Sequence, residues 1–147
     1  MPNSKLTDEK LVLLVDDDPL GRESLSELLD AKGYSVLEAE NGQTALEVLK
    51  KTPYFPCLIV LDLTMPVMDG REFLKLRAVD PILRDIPVVV VSGNMPSGEP
   101  LVGIDAYLRK PVKVDRLIEV IDQHCWRVTT GAWLRHSQCS EPQHRSA

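Results

Sequence analysis

Five short, mostly apolar runs recur along the chain and end at polar residues: Leu11–Val15, Tyr34–Ala39, Cys57–Leu61, Ile86–Val91 and Ala106–Arg109. Continuous apolar runs of this length read as strands buried on both faces, as in a parallel sheet. Between them the period lengthens. Leu25, Leu28 and Leu29 are spaced i, i+3, i+4 and Gly33 stops the segment, which predicts a helix over about Pro19–Lys32. Asp18 is its expected N-cap, and Pro19 sits where a helix tolerates proline best. Ala45, Leu46, Val48 and Leu49 mark a second helix over about Gly42–Lys51, closed by Pro53. Phe73, Leu74 and Leu76 mark a third, which Asp80-Pro81 ends or kinks. Val114, Leu117, Ile118 and Ile121 give a clean apolar face for a final helix, roughly Lys113–Trp126. The stretch Asn94–Asp105 holds Pro96, Gly98, Pro100 and Gly103, which leaves room for a single turn at Pro100–Ile104 at most.

Five strand patterns thus alternate with four helix patterns, which predicts an α/β fold with helices on both faces of a parallel sheet. Right-handed crossovers leave few topologies, and the flavodoxin-like, doubly wound order 2-1-3-4-5 is the natural one for five strands. The 147 residues suffice for one domain with a real core. The organisation expected is a flexible N-terminus over 1–9, a folded domain over 10–126 and a disordered tail over 127–147, where Ser, Thr, Gln, His and Arg show no period. A net charge of −5 gives no electrostatic case for nucleic acid. No apolar run approaches the ~18 residues of a membrane span, and polar Met1–Lys10 lacks the apolar core of an export signal. Cys57, Cys125 and Cys139 are odd in number and form no CxxC. They read as reduced thiols of a cytoplasmic protein, with Cys57 acting as a small buried apolar residue.

Polar groups collect where the strands end. Strand 1 runs into Asp16-Asp17-Asp18, strand 3 into Asp62, strand 4 into Ser92 and strand 5 into Lys110. In the order 2-1-3-4-5, strands 1 and 3 are neighbours at the topological switch point, and ligand chemistry in open α/β sheets gathers at the carboxyl ends of strands. Adjacent acids repel one another unless a cation or another use compensates. Three carboxylates, a hydroxyl and an ammonium in one crevice suit phosphoryl transfer to a carboxylate. The acids offer an oxygen site for Mg²⁺. Asp62 can attack phosphorus to form an acyl phosphate. Lys110 supplies a positive charge and Ser92 a hydroxyl donor for the phosphoryl oxygens.

Val15-Asp16-Asp17, Asp62-x-x-Met65-Pro66-x-Met68-Asp69-Gly70, Ser92-Gly93 and Tyr107-x-x-Lys110-Pro111 resemble the receiver domain of bacterial two-component response regulators, over about Lys10–Trp126. The resemblance implies a phosphorylation-dependent signalling switch. Asp62 would be the phosphoacceptor, supplied by a sensor histidine kinase or a histidine phosphotransfer protein. Asp17 would ligate Mg²⁺ directly and Asp16 through water, with Asp62 and the Thr64 carbonyl completing the protein's share. Ser92 would turn toward the phosphoryl group, Tyr107 would follow it, and Lys110 would pair with a phosphoryl oxygen. The Lys110–Pro111 bond would be cis. The side chains of Thr64 and Asn94 would tune the lifetime of the acyl phosphate. Such a domain is regulatory, with self-phosphorylation and self-dephosphorylation as its only reactions.

The chain departs from that family in one place. Ser92 and Lys110 are 18 positions apart, short for a full fourth helix. A shortened or unwound fourth helix is therefore expected, and with it a monomer or weak dimer. The 21 residues after Trp126 are too few for an effector domain, so the chain is read either as a stand-alone receiver acting through protein contacts, the preferred reading, or as a receiver cut from a longer protein, with no nucleic acid or membrane partner expected. Two other readings compete. Asp16-x-Asp18 imitates the first motif of haloacid dehalogenase-type phosphatases, with Asp16 as nucleophile, but Leu20 stands where that motif wants Thr or Val. The other is a pseudo-receiver, a binding module that is never phosphorylated, against which stands the presence of every key residue.

Overall fold

A computed structural model describes residues 10–93 and 100–125. The expected termini at 1–9 and 127–147, and Asn94, lie outside the described residues. Strands β1 (Leu11–Val15), β2 (Ser35–Ala39), β3 (Leu58–Leu61), β4 (Val88–Ser92) and β5 (Ala106–Arg109) alternate with helices α1 (Pro19–Ala31), α2 (Gly42–Lys51), α3 (Gly70–Ala78) and α4 (Val114–Cys125). A 3₁₀ turn at Leu83–Asp85 leads into β4. All pairings are parallel, and the order is β2-β1-β3-β4-β5, as the alternation predicts. The described residues between β4 and β5 contain no helix.

Successive strand residues point to opposite faces of the sheet, and each face has its own core. Val12, Leu14, Val60, Val89 and Val91 face α1 and α4, where they meet Leu29, Leu117 and Ile121. Leu13, Val15, Ile59, Leu61 and Val90 face α2 and α3, where they meet Leu49 and Phe73. β1, β3 and β4 are buried along their whole length, which is why they appear in the sequence as unbroken apolar runs. No helix among the described residues is long and apolar enough to cross a membrane.

The cysteine reading is corrected. Cys57 and Cys125 form a disulfide, with Cα atoms 5.1 Å apart. The cause lies in the fold. α4 runs back along the sheet for 12 residues, about 18 Å of helix, and so returns its C-terminus to the edge where β3 begins. Cys57 is buried, as expected, but bonded. With this bond the thiol argument for a cytoplasmic protein falls away. At the same edge the Tyr34 hydroxyl donates to Asp122, and Lys10 lies over the Tyr34 ring, 5.4 Å from its centroid.

A second long-range tie was not foreseen. Arg77 of α3 is buried and donates to the carbonyls of Gly103, Arg84 and Ile86 at 3.2, 3.0 and 2.7 Å. Burial pushes its guanidinium below the ordinary range, against the attraction of Asp105 and Asp85. It pins the far end of the β4–β5 connection to α3.

Candidate phosphoacceptor site

The ladders that join β1 to β3 and to β2 each continue one step past the strands. The Asp62 amide donates to the Val15 carbonyl at 3.0 Å, and the Asp16 amide to the Ala39 carbonyl at 3.1 Å. Both acids therefore leave the sheet from fixed backbone. Oxygens of Asp16, Asp17 and Asp62 lie within 4.8 Å of one another. Asp62 is buried, Asp16 half-buried and Asp17 exposed, so the cluster is graded from floor to rim. Lys110 follows β5, and its amide donates to the Ser92 carbonyl at 2.9 Å. Its Nζ reaches Asp16 Oδ2 at 3.3 Å and Asp62 Oδ2 at 3.7 Å. The Lys110–Pro111 bond is cis.

Burial is the main influence on the Asp62 carboxyl and raises it from its ordinary value. The Lys110 ammonium opposes that shift and the Asp16 charge adds to it. At Lys110 burial acts downward, but Asp16 and Asp62 outweigh it and the ammonium is held above its ordinary value. One lysine thus faces three clustered acids. The donors are carboxylate oxygens, with no sulfur or imidazole among them, and they suit a hard divalent cation.

The loop after Asp62 is braced on several sides. The Thr64 amide lies 3.4 Å from Asp62 Oδ1, and Thr64 is otherwise exposed. Gly70 donates to the Leu63 carbonyl at 2.9 Å, and a Cβ there would lie 2.5 Å from the Asp62 carbonyl oxygen. Only glycine lets α3 start this close to the site. Asp69 caps α3 by accepting from Glu72 N, and Met68 O accepts from Gly42 N at the start of α2. Val67 sits at φ 69° and is exposed at the loop's tip. Ser92 is buried at the end of β4. Tyr107 is half-buried on β5, paired with Val90.

Asp18 takes the N-cap position of α1, but its side chain makes no capping bond. Its carboxylate turns toward Gly21 instead, with Oδ2 2.8 Å from where a Cβ would stand. The brace of this turn is a residue that the sequence reading passed over. Arg22 of α1 donates through Nη1 to the Asp16 carbonyl at 2.5 Å, and through Nε to Glu38 of β2 at 3.0 Å. A cavity of about 510 Å³ opens beside the acids, walled on its apolar side by Leu25, Leu28 and Val112.

The response regulator receiver domain family matches residues 12–122. The polar-differentiation response regulator DivK of Brucella anthropi is 33% identical over 119 residues, covering 78% of this chain and 95% of the relative. The receiver domain of a sensor histidine kinase from Pseudomonas aeruginosa, solved with a magnesium ion in its active site cleft, has a TM-score of 0.71 at 25% identity, covering 80% of this chain and 98% of that one. The response regulator TrrA of Thermotoga maritima, solved with Mg²⁺ and BeF, has a TM-score of 0.69 at 29% identity, covering 78% and 97%.

Proposed function

This chain belongs to the response regulator receiver family and is a phosphorylation-dependent signalling switch; we propose that Asp62 is its phosphoacceptor. One observation carries the assignment. Asp62 is the buried acid of the cluster, and the Lys110 ammonium lies 3.7 Å from its Oδ2. The donor is a phosphohistidine on a sensor kinase or a phosphotransfer protein. An Asp62 oxygen attacks phosphorus as the P–N bond breaks, the imidazole leaves with the electron pair and takes up a proton, and Asp62 carries an acyl phosphate.

Asp17 directly, Asp16 through water, Asp62 and the Thr64 carbonyl would hold Mg²⁺. When bound, the ion neutralises charge on the incoming phosphoryl group. Lys110 then pairs with a phosphoryl oxygen and Ser92 offers it a hydroxyl. Both sit on the β4–β5 edge, joined by the Lys110 amide to Ser92 carbonyl bond. A dianion that draws Ser92 inward therefore shifts this edge, Tyr107 follows, and a partner protein that binds the two states differently reads the change. Beyond gaining and losing its own phosphoryl group the domain performs no catalysis in this reading. We place it in the cytoplasm, with the donor's phosphohistidine.

Intact-mass measurement after incubation with acetyl phosphate and Mg²⁺ tests the assignment. One phosphoryl adduct is expected on the wild type and none on Asp62→Asn. An adduct that persists in that variant, or maps to Asp16, refutes the assignment. A wild type without any adduct supports a module that is never phosphorylated.

A further inference from the structure

We propose that Arg22, held by Glu38, is a positioning residue for the cation site. Its guanidinium grips the Asp16 carbonyl and thereby sets the directions of the Asp16 and Asp17 carboxylates. The inference rests on the reading that these acids and Asp62 hold Mg²⁺.

Asp16, Asp17 and Asp18 follow one another directly in the turn between β1 and α1. Their mutual repulsion favours a splayed turn. Four ties resist this at Asp16. Its amide donates to Ala39 O at 3.1 Å, its Oδ1 accepts from the Asp18 amide at 3.0 Å, its Oδ2 faces Lys110 at 3.3 Å, and its carbonyl accepts from Arg22 at 2.5 Å. The carbonyl belongs to the Asp16–Asp17 peptide plane, so the Arg22 bond fixes the plane from which the exposed Asp17 departs. Arg22 is well suited to the task. Its own amide donates to Asp18 O at 2.9 Å, which puts it on the first turn of α1. Its side chain is only 17% exposed, and its planar fork spans two acceptors at once.

Glu38 explains how a cation is tolerated beside a cation site. Without a partner, the Arg22 charge would repel Mg²⁺. Glu38 stands on β2, opposite Leu14 in the register, and takes the Nε side of the fork. The pair keeps the hydrogen bond to the carbonyl while offsetting the charge.

Charge and positioning predict opposite signs. If Arg22 acted only as a nearby positive charge, removing it would tighten Mg²⁺ binding. If it positions the turn, removing it weakens binding, by about tenfold as for other groups that orient metal ligands. Isothermal titration of the full chain with Mg²⁺ alone, at fixed ionic strength, reads the difference. Arg22→Gln is expected to bind about tenfold more weakly. Arg22→Lys keeps the charge but loses the fork, and is expected to fall between Arg22→Gln and the wild type. It also serves if the glutamine variant does not fold. Acetyl phosphate kinetics add a second readout: the Mg²⁺ concentration for half-maximal rate rises, while the rate at saturating Mg²⁺ stays near that of the wild type. Affinity equal to or tighter than the wild type in either variant overturns the proposal. A wild type that binds no Mg²⁺ overturns the reading it rests on instead, so the two failures are distinguishable.

Discussion

The Cys57–Cys125 bond makes a contribution to stability that can be worked out and tested. It closes a loop with a sequence separation of 68. In the chain-entropy model a loop of that length removes about 15 cal/mol/K from the unfolded ensemble, or about 4 kcal/mol at 25 °C. Domains of this size are stable by roughly 5–15 kcal/mol in total, so the bond accounts for a large share. At roughly 3–5 °C per kcal/mol, its loss lowers the midpoint by roughly 12–20 °C. Reductant added to the folded protein is a poor perturbation, because both sulfurs are buried among Leu58, Val120 and Ile121. The chain should instead be unfolded, reduced, refolded in reductant and compared with the oxidised form by thermal denaturation. Thiol titration of the denatured, unreduced chain should find one free thiol out of three cysteines, and peptide mapping should recover Cys57 joined to Cys125. Three free thiols, or coincident midpoints for the oxidised and reduced forms, would refute the reasoning.

Three further outcomes follow from the site. Because Asp62 is held above its ordinary value of 3.8, the folded chain binds that proton more firmly than the unfolded one. That contribution to stability is full below 3.8 and is lost as pH rises through the folded value, so at pH 7 the ionised form weighs against folding. Asp62→Asn should therefore raise the midpoint in Mg²⁺-free buffer at pH 7, with a gain that shrinks toward pH 3.8; no gain at pH 7 contradicts the burial account. Gly70→Ala gains up to about 1 kcal/mol in helix propensity. The new Cβ would, however, meet backbone at 2.5 and 2.8 Å. Urea denaturation should show a net loss of about 1–3 kcal/mol, and stabilisation would mean the approach is looser than described. Val67 is β-branched at φ 69° and 75% exposed, so it carries strain with little burial in return. Val67→Asn should stabilise by about 1 kcal/mol in the same assay, and a loss would show that the valine makes a contact that outweighs the strain.

Much of this was legible from the chain alone, for a physical reason. Strands buried on both faces must be apolar throughout, so Leu11–Val15 and Leu58–Leu61 stand out, and the first polar residue after each marks the sheet edge. The positions of Asp16, Asp17, Asp62, Ser92 and Lys110 follow from that and from the strand order. What stayed hidden depends on how helices return. Cys125 lies four residues after Ile121 and continues the apolar stripe of α4, the only hint that it faces the sheet near Cys57. Arg22 and Arg77 look like ordinary basic residues of amphipathic helices. Their roles arise from the carbonyls of Asp16, Gly103, Arg84 and Ile86, which the sequence does not bring near them. Asp18 fits the cap pattern by residue type, yet its side chain turns elsewhere, because propensity says nothing about competing neighbours.

The parallel sheet gives the molecule two poles. Every strand starts at one edge and finishes at the other, and β3 makes the separation concrete, with Cys57 before its first residue and Asp62 after its last. Five steps of extended chain put about 16 Å between them. One edge gathers the acids, the lysine and Ser92; the other gathers the disulfide, the Tyr34–Asp122 bond and Lys10 over its ring. An engineer can therefore treat the chain as two independent workplaces. A probe or crosslink placed around Tyr34 or Cys125 addresses durability and tethering, while substitutions around Asp16 and Lys110 address signalling, and the wholly apolar strands β1 and β3 between them are the insulation.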